Sequence, residues 1–179
     1  MKENKITSEK VFFCLQLYCI IACIPFFISH TDNYEHLISF NQSKGFLEIL
    51  KNNVAVSFNL VMLGIISLGI VGVGILFVNA YFLGETVLVG ILKYGPSFFL
   101  SIIPHGIFEI PGTILCLVII WESNTFIFSK LFPKKDKEYS FKAFFLKVKM
   151  YFTCAICLIF IGALIEAYIT PKLIKEFIL

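Results

Sequence analysis

The sequence contains no arginine, since all 15 of its basic residues are lysine. Arginine is the preferred residue for bidentate recognition of phosphate, so its absence argues against a nucleic-acid partner. The His-Glu-x-x-His, Gly-x-Ser-x-Gly and Gly-x-x-x-x-Gly-Lys-Ser/Thr patterns are also missing. These patterns supply the usual parts for zinc hydrolysis, serine chemistry and ATP use. We therefore expect a protein that is not an enzyme and that uses no cofactor.

Charge is scarce as well, because only 15% of the residues are charged while 58% are hydrophobic. Soluble domains average about 45–50% apolar residues. An excess of this size needs a lipid-facing surface. The composition thus predicts an all-α, polytopic transmembrane helix bundle with the lipid bilayer as its surroundings.

Long apolar runs give the domain organisation. A transmembrane helix needs about 20 apolar residues. The predicted sequence of segments is a tail at 1–10, a first span at 11–29, an extracytoplasmic loop at 30–53, a membrane domain at 54–172 with spans near 54–78, 86–103, 104–123 and 150–169, and a C-terminal tail at 173–179. The run from 86 to 121 is too long for one span and short for two. Residues 86–103 are therefore either a full span or part of a re-entrant pair.

The lysine distribution predicts the orientation. With five spans and a cytoplasmic N-terminus, the cytoplasmic side carries ten lysines, three in the tail and seven between residues 130 and 149, against four outside. Cytoplasmic loops are enriched in lysine, which favours this model over four spans with nine lysines against six. We expect five spans and a cytoplasmic N-terminus.

Several other sequence features are interpreted without any special function. Residues 20–23 resemble a lipoprotein cleavage box, but the apolar run continues past Cys23, which favours an uncleaved span. All six cysteines fall in apolar runs and are interpreted as small hydrophobic residues. Four polar residues of the first loop match no defined metal-site spacing, and we expect no metal there: His30, Asp32, Glu35 and His36.

The most informative stretch is Pro104-His105-Gly106-Ile107-Phe108-Glu109-Ile110-Pro111. In a helix, His105 and Glu109 stand at i and i+4 and share one face. Pro104 suits a first helical turn, whereas Pro111 removes a hydrogen bond and tends to break a helix. The stretch predicts a polar pair held at a broken helix end.

The predicted topology places several polar residues in the outer half of the bundle. The candidate intramembrane polar cluster consists of Asn52, Asn53, His105, Glu109 and Glu166. Such residues are expensive in a membrane unless paired, and they often mark proton or ion paths. Two interpretations stay open: a structural hydrogen-bond clasp that joins helices, and a site that conducts protons or ions.

Four blocks together resemble the stage II sporulation protein M family over roughly residues 46–172. They are Asn52-Asn53 before a glycine-rich span, Asn79 to Gly84, Pro-His-Gly-x-x-Glu-x-Pro, and Ile165-Glu166-Ala167-Tyr168-Ile169-Thr170-Pro171. The sporulation branch tends to carry Pro-Gln-Asn where this chain has Pro104-His105-Gly106. The chain therefore looks closer to the Pro-His-Gly branch, such as the accessory membrane proteins of circular bacteriocin systems.

The resemblance implies a multi-pass protein of the bacterial cell membrane without catalytic activity. Its expected role is accessory to peptide export, maturation or self-protection. The expected partners are other membrane proteins, a separate ATPase or transporter subunit, and a hydrophobic peptide. The alternatives are an engulfment scaffold for cell-wall hydrolases in sporulation and an ion- or proton-coupled carrier.

Overall fold

The computed structural model describes residues 2–28, 45–133 and 140–178. The helices are α1 Lys2–Cys23, α2 Pro25–Ile28, α3 Phe46–Ile66, α4 Ile70–Tyr94, α5 Phe99–Leu131, α6 Phe141–Tyr168 and α7 Thr170–Phe177, with a 3₁₀ turn at Pro96–Phe98 before α5. The described residues contain helices and no strand. This confirms the predicted all-α class.

Five segments are long and apolar enough to cross a membrane: Glu9–Ile28, Phe46–Ile66, Ile70–Tyr94, Pro96–Leu131 and Phe141–Phe177. Large apolar side chains cover their outer faces, as Phe27 and Ile70 show with exposed fractions of 88% and 79%. Such exposure suits contact with lipid tails and not with water. The chain is a multi-pass membrane protein, as predicted.

The boundaries between spans differ from the prediction. The expected continuous span at 54–78 is wrong, because α3 ends at Ile66 and α4 begins at Ile70. Leu68 (φ 56°) and Gly69 (φ 101°) form the turn between them. Glycine adopts this left-handed backbone readily, and the Gly69 N–H donates to the Gly64 carbonyl at 2.7 Å. The turn is almost wholly apolar, so the hydropathy of the sequence does not fall between α3 and α4 and gives no sign of the boundary.

The region 86–103 is neither a full span nor a re-entrant half-helix. Its first part completes α4, and the chain reverses at Gly95 (φ 79°) and the turn Pro96–Phe98. Helix α5 then runs unbroken from Phe99 to Leu131 and contains both Pro104 and Pro111. The predicted boundary between spans 86–103 and 104–123 is therefore wrong, and so is the predicted helix break at Pro104–Pro111.

The predicted tails and first loop also change. Residues 2–10 continue α1, residues 46–53 form the start of α3, and much of the expected C-terminal tail belongs to α7. Residues 29–44 lie outside the described part of the chain. The four polar loop residues considered as metal ligands fall within that stretch.

Helix α5 is the centre of the bundle. It packs most extensively against α6 and also contacts α1, α3, α4 and α7. The side chains with almost no exposed surface include Leu60, Leu76, Ile114, Val118 and Ile119. This apolar core fills the middle of the bundle and leaves two polar clusters, one along each half of α5.

Candidate intramembrane polar site

Helix α5 places His105 and Glu109 one turn apart, and α6 brings Glu166 beside them. The candidate ligand atoms of these three side chains all lie within 4.8 Å of one another, and each residue is partly buried. The sequence separates Glu166 from Glu109 by most of two spans. The antiparallel packing of α6 on α5 brings them together. We call these three residues the His105 cluster.

Asn53 connects the His105 cluster to α3. Its Nδ2 donates a hydrogen bond of 2.6 Å to Oε1 of Glu109. The preceding residue, Asn52, lies 3.5 Å from the Asn53 Oδ1 through its own Nδ2. Short hydrogen bonds to a carboxylate are stronger than neutral ones in a low-dielectric interior. The Glu109 carboxylate is thus held in place by a hydrogen bond from α3.

Two residues from the C-terminal part of the chain, Gly162 and Thr170, complete the packing around the His105 cluster. His105 Nδ1 lies 3.3 Å from the Thr170 hydroxyl at the start of α7. On α6, a Cβ at Gly162 would collide with Cγ of Glu109 and lie 3.2 Å from its Oε1. The missing side chain at Gly162 therefore makes room for the Glu109 carboxyl between two helices.

A cavity of about 220 Å³ adjoins the cluster. Its polar lining comes from α1, α3, α4 and α5, namely Tyr18, Asn52, Asn53, Ser57, Asn79, His105, Glu109 and Thr113. Four of the five residues of the predicted cluster line this cavity, and Glu166 meets two of them through the contacts above. Tyr18, Ser57 and Thr113 were not predicted, since hydroxyls in apolar runs carry little sequence signal.

The other motif residues have separate positions. Gly106 and Asn79 line the cavity, while Pro104 and Pro111 lie within α5. Gly84 lies at the crossing of α4 and α1, where an added Cβ would overlap the backbone carbonyl of Ala22. Within the Asn79 to Gly84 block, Asn79 thus lines the cavity and Gly84 allows α4 to pack closely against α1.

A second polar group, missed in the sequence, occupies the opposite half of α5. Glu122 accepts from Lys10 Nζ at 2.7 Å and lies 3.5 Å from Lys147 Nζ. The Glu122 side chain is only 6% exposed. Lys10 also sits 5.1 Å from the centre of the Trp121 ring. We call Lys10, Glu122 and Lys147 the Glu122 bridge; it joins α1, α5 and α6. The sequence signal that could have revealed this bridge is the acidic residue Glu122 close to the lysine-rich stretch at 130–149.

The cysteines form no cluster in the described residues. Cys14 and Cys116 are buried, whereas Cys154 and Cys157 are exposed on α6. This placement agrees with their interpretation as small apolar side chains.

The His105 cluster offers one imidazole and two carboxylates beside a polar cavity. These groups can bind a cation or exchange protons. Tyr18, Ser57 and Thr113 add hydroxyl groups to the same lining. The arrangement suits ion binding, proton exchange or the joining of helices.

Comparison with known proteins gives two matches. The family model described as Stage II sporulation protein M matches residues 12–171. A protein of Methanocaldococcus jannaschii that is described as uncharacterised is 35% identical over 148 residues, covering 79% of this chain and 78% of the relative. No solved structure matches the chain. The match includes the first span, which the sequence resemblance had left outside.

Proposed function

The chain belongs to the stage II sporulation protein M family, and from that premise we propose that it is a non-enzymatic component of a bacterial membrane complex. Its proposed role is accessory to the export, maturation or self-protection of a hydrophobic peptide such as a circular bacteriocin. Family membership supports the membrane location. The closer resemblance to the Pro-His-Gly branch supports the peptide-related role.

The observation that carries the accessory role is the size of the polar cavity. Its volume is about 220 Å³, whereas pockets for drug-sized ligands occupy roughly 300–1,000 Å³. A second, mostly apolar pocket of about 480 Å³ is lined on α5 by residues 117–128, whereas the polar cavity is lined on α5 by residues 102–113, so neither extends along the whole helix. We infer that the described bundle acts beside a separate transporter.

The energy source for export also lies outside this chain. The sequence has no phosphate-binding loop, and such loops cradle the phosphates of ATP through their backbone N–H groups. A separate ATPase would supply the driving force. Helices α3 and α4 expose large apolar side chains, including Phe58, Ile66, Ile70 and Phe82, and we propose that a membrane partner docks on them.

Deleting the gene tests the role directly. We expect a producing strain to release less peptide or to become sensitive to its own peptide, while the number of heat-resistant spores stays unchanged. A normal peptide phenotype with failed engulfment would replace this proposal with the sporulation scaffold that the family description suggests. Complementation with the wild-type chain is the control.

The second candidate function is an ion- or proton-coupled carrier, favoured by the convergence of Glu109, His105 and Glu166. Glu109→Gln keeps hydrogen bonding to Asn53 but removes the titratable carboxyl. If the cluster is a clasp, this variant accumulates in the membrane and keeps most of its function, whereas His105→Leu lowers abundance. A Glu109→Gln protein that accumulates normally and has no function would favour the carrier. Membrane abundance and phenotype are measured side by side.

A further inference from the structure

We propose that His105, Glu109 and Glu166 bind one divalent transition-metal ion of the Mn²⁺ to Zn²⁺ series. The three side chains come from two helices, and their candidate donor atoms already lie within 4.8 Å of one another. Helices α5 and α6 share the most extensive interface in the bundle. The donors are therefore presented by a rigid support, as an ion site requires.

The separation of the donors is close to that of a coordinated set. Bonds from a metal to nitrogen or oxygen are about 2.0–2.2 Å long, which places tetrahedral donors about 3.3–3.6 Å apart. Both glutamates are long side chains with three rotatable torsions. Coordination of one ion would require side-chain rotation to close any separation between that distance and the present upper bound of 4.8 Å.

Hydrogen bonds around the cluster resemble those that support metal ligands. A ligating histidine usually gives its second ring N–H to an acceptor, and a ligating carboxylate is usually held by a donor. Nδ1 of His105 lies 3.3 Å from the Thr170 hydroxyl, a contact that orients the imidazole ring. Asn53 donates to Oε1 of Glu109 at 2.6 Å, which fixes the position of that carboxylate. Both residues are thus oriented from outside the cluster.

The adjoining cavity supplies the rest of a coordination shell. A water molecule occupies roughly 30 Å³ of liquid volume, and the cavity measures about 220 Å³. Several waters therefore fit beside His105 and Glu109, the two proposed ligands that line the cavity. A divalent cation also neutralises two carboxylates that repel each other at this distance in a low-dielectric surrounding.

The donor set selects the class of metal. Imidazole nitrogen favours transition metals, whereas Mg²⁺ and Ca²⁺ favour oxygen alone. Carboxylate donors without thiolate disfavour Cu(I) and iron–sulfur centres. One imidazole with two carboxylates therefore favours Zn²⁺ or Mn²⁺ over the alkaline-earth ions.

The test is metal binding by the full-length chain in lipid nanodiscs after removal of any affinity tag. We expect one Zn²⁺ per chain and no displacement by millimolar Mg²⁺. Glu109→Gln, Glu166→Gln and His105→Gln should each weaken Zn²⁺ binding by about 100-fold or more, and Asn53→Ala by about 10–100-fold as an orienting residue. Each variant is first compared with wild type for its elution volume and melting temperature without metal.

Matched controls address the other potential ligands. Glu176→Gln removes an exposed carboxylate from α7 and should leave binding unchanged. The double variant His30→Gln/His36→Gln removes the remaining histidines of the sequence and should also bind normally. Zinc X-ray absorption should show one imidazole with oxygen donors and no sulfur.

Wild-type chain that is folded but retains no Zn²⁺ or Mn²⁺ would overturn the proposal. So would sulfur in the zinc coordination shell, or full Zn²⁺ binding by folded Glu109→Gln and Glu166→Gln variants. Because binding is measured on isolated protein, its failure leaves the accessory role in peptide export untouched. Equally, a missing export phenotype leaves the metal measurement valid.

Discussion

Replacing Glu122 with glutamine should destabilise the bundle more than any change to an exposed charge. Glu122 is nearly inaccessible and contacts Lys10 at 2.7 Å and Lys147 at 3.5 Å. The substitution preserves the shape of the side chain but leaves both ammonium groups without their counter-charge. The free energy of unfolding should therefore fall.

The size of the loss follows from the geometry. At an effective dielectric constant near 20, the two attractions amount to about 6 and 5 kcal/mol before desolvation is subtracted. Removing one partner of a buried pair typically costs about 3–5 kcal/mol because the other charge stays buried. The Lys147 side chain is 29% exposed, and lysines can extend their charged ends to the interface. We therefore expect a net loss of about 1–3 kcal/mol, below that range, because Lys147 keeps access to water.

Thermal unfolding in detergent measures this loss, with tryptophan emission as the reporter. The single tryptophan, Trp121, adjoins Glu122 and faces Lys10, so its emission reports on the bridge itself. Elution volume gives an independent check of the whole bundle. The control is Glu48→Gln, an exposed change in the first turn of α3.

A double substitution that removes both charges provides a second test of the bridge. Replacing a buried ion pair by apolar side chains of similar size is often neutral. Glu122→Leu combined with Lys10→Met should thus regain most of the melting temperature that Glu122→Leu alone loses. If Glu122→Gln melts like wild type, or if the double variant is no better than Glu122→Leu, the bridge does not stabilise the fold.

Three further predictions concern orientation, nucleotides and packing. In a cysteine-free background, a cysteine at Ser43 should react with an impermeant thiol reagent in intact cells while one at Lys135 should not; labelling at Lys135 from outside would reverse the topology. The purified chain in lipid should neither bind nor hydrolyse ATP, and specific turnover by the clean protein would contradict the accessory role. Gly84→Val should reduce membrane abundance and lower the melting temperature, by about 1–3 kcal/mol of stability, because the new side chain meets the Ala22 backbone. Unchanged melting of Gly84→Val would show that α1 and α4 can separate at this point.

The number of spans could be predicted from composition and hydropathy, but their ends could not. The boundary between α3 and α4 is made by Leu68 and Gly69, and no charged residue marks it. A glycine in an apolar run indicates close packing as readily as a turn. Conversely, Pro104 and Pro111 suggested a break where α5 is continuous. Neighbouring helices can compensate for a lost backbone hydrogen bond in a membrane bundle.

The polar residues around α5 could be predicted better in type than in arrangement. His105 and Glu109 share a face by spacing alone, whereas their contact with Glu166 depends on how α6 packs. The link from Asn53 to Glu109 depends on Gly162 as well, because any larger residue there would displace the carboxyl. Such three-helix contacts leave no pattern in a single sequence. The Glu122 bridge was missed because Lys10 had been assigned to a free tail.

The Glu122 bridge also constrains how the protein is made. Lys10 and Glu122 are 112 residues apart in the chain. At synthesis rates of about 5–20 residues per second, roughly 6–22 s pass between the synthesis of Lys10 and that of Glu122. During that interval α1 is already apolar enough to enter the bilayer, yet the Glu122 carboxylate that contacts Lys10 in the folded bundle has not been made. Until α5 has been inserted, the Lys10 end of α1 must stay at the membrane surface. The final depth of α1 in the bilayer is therefore set late in biosynthesis.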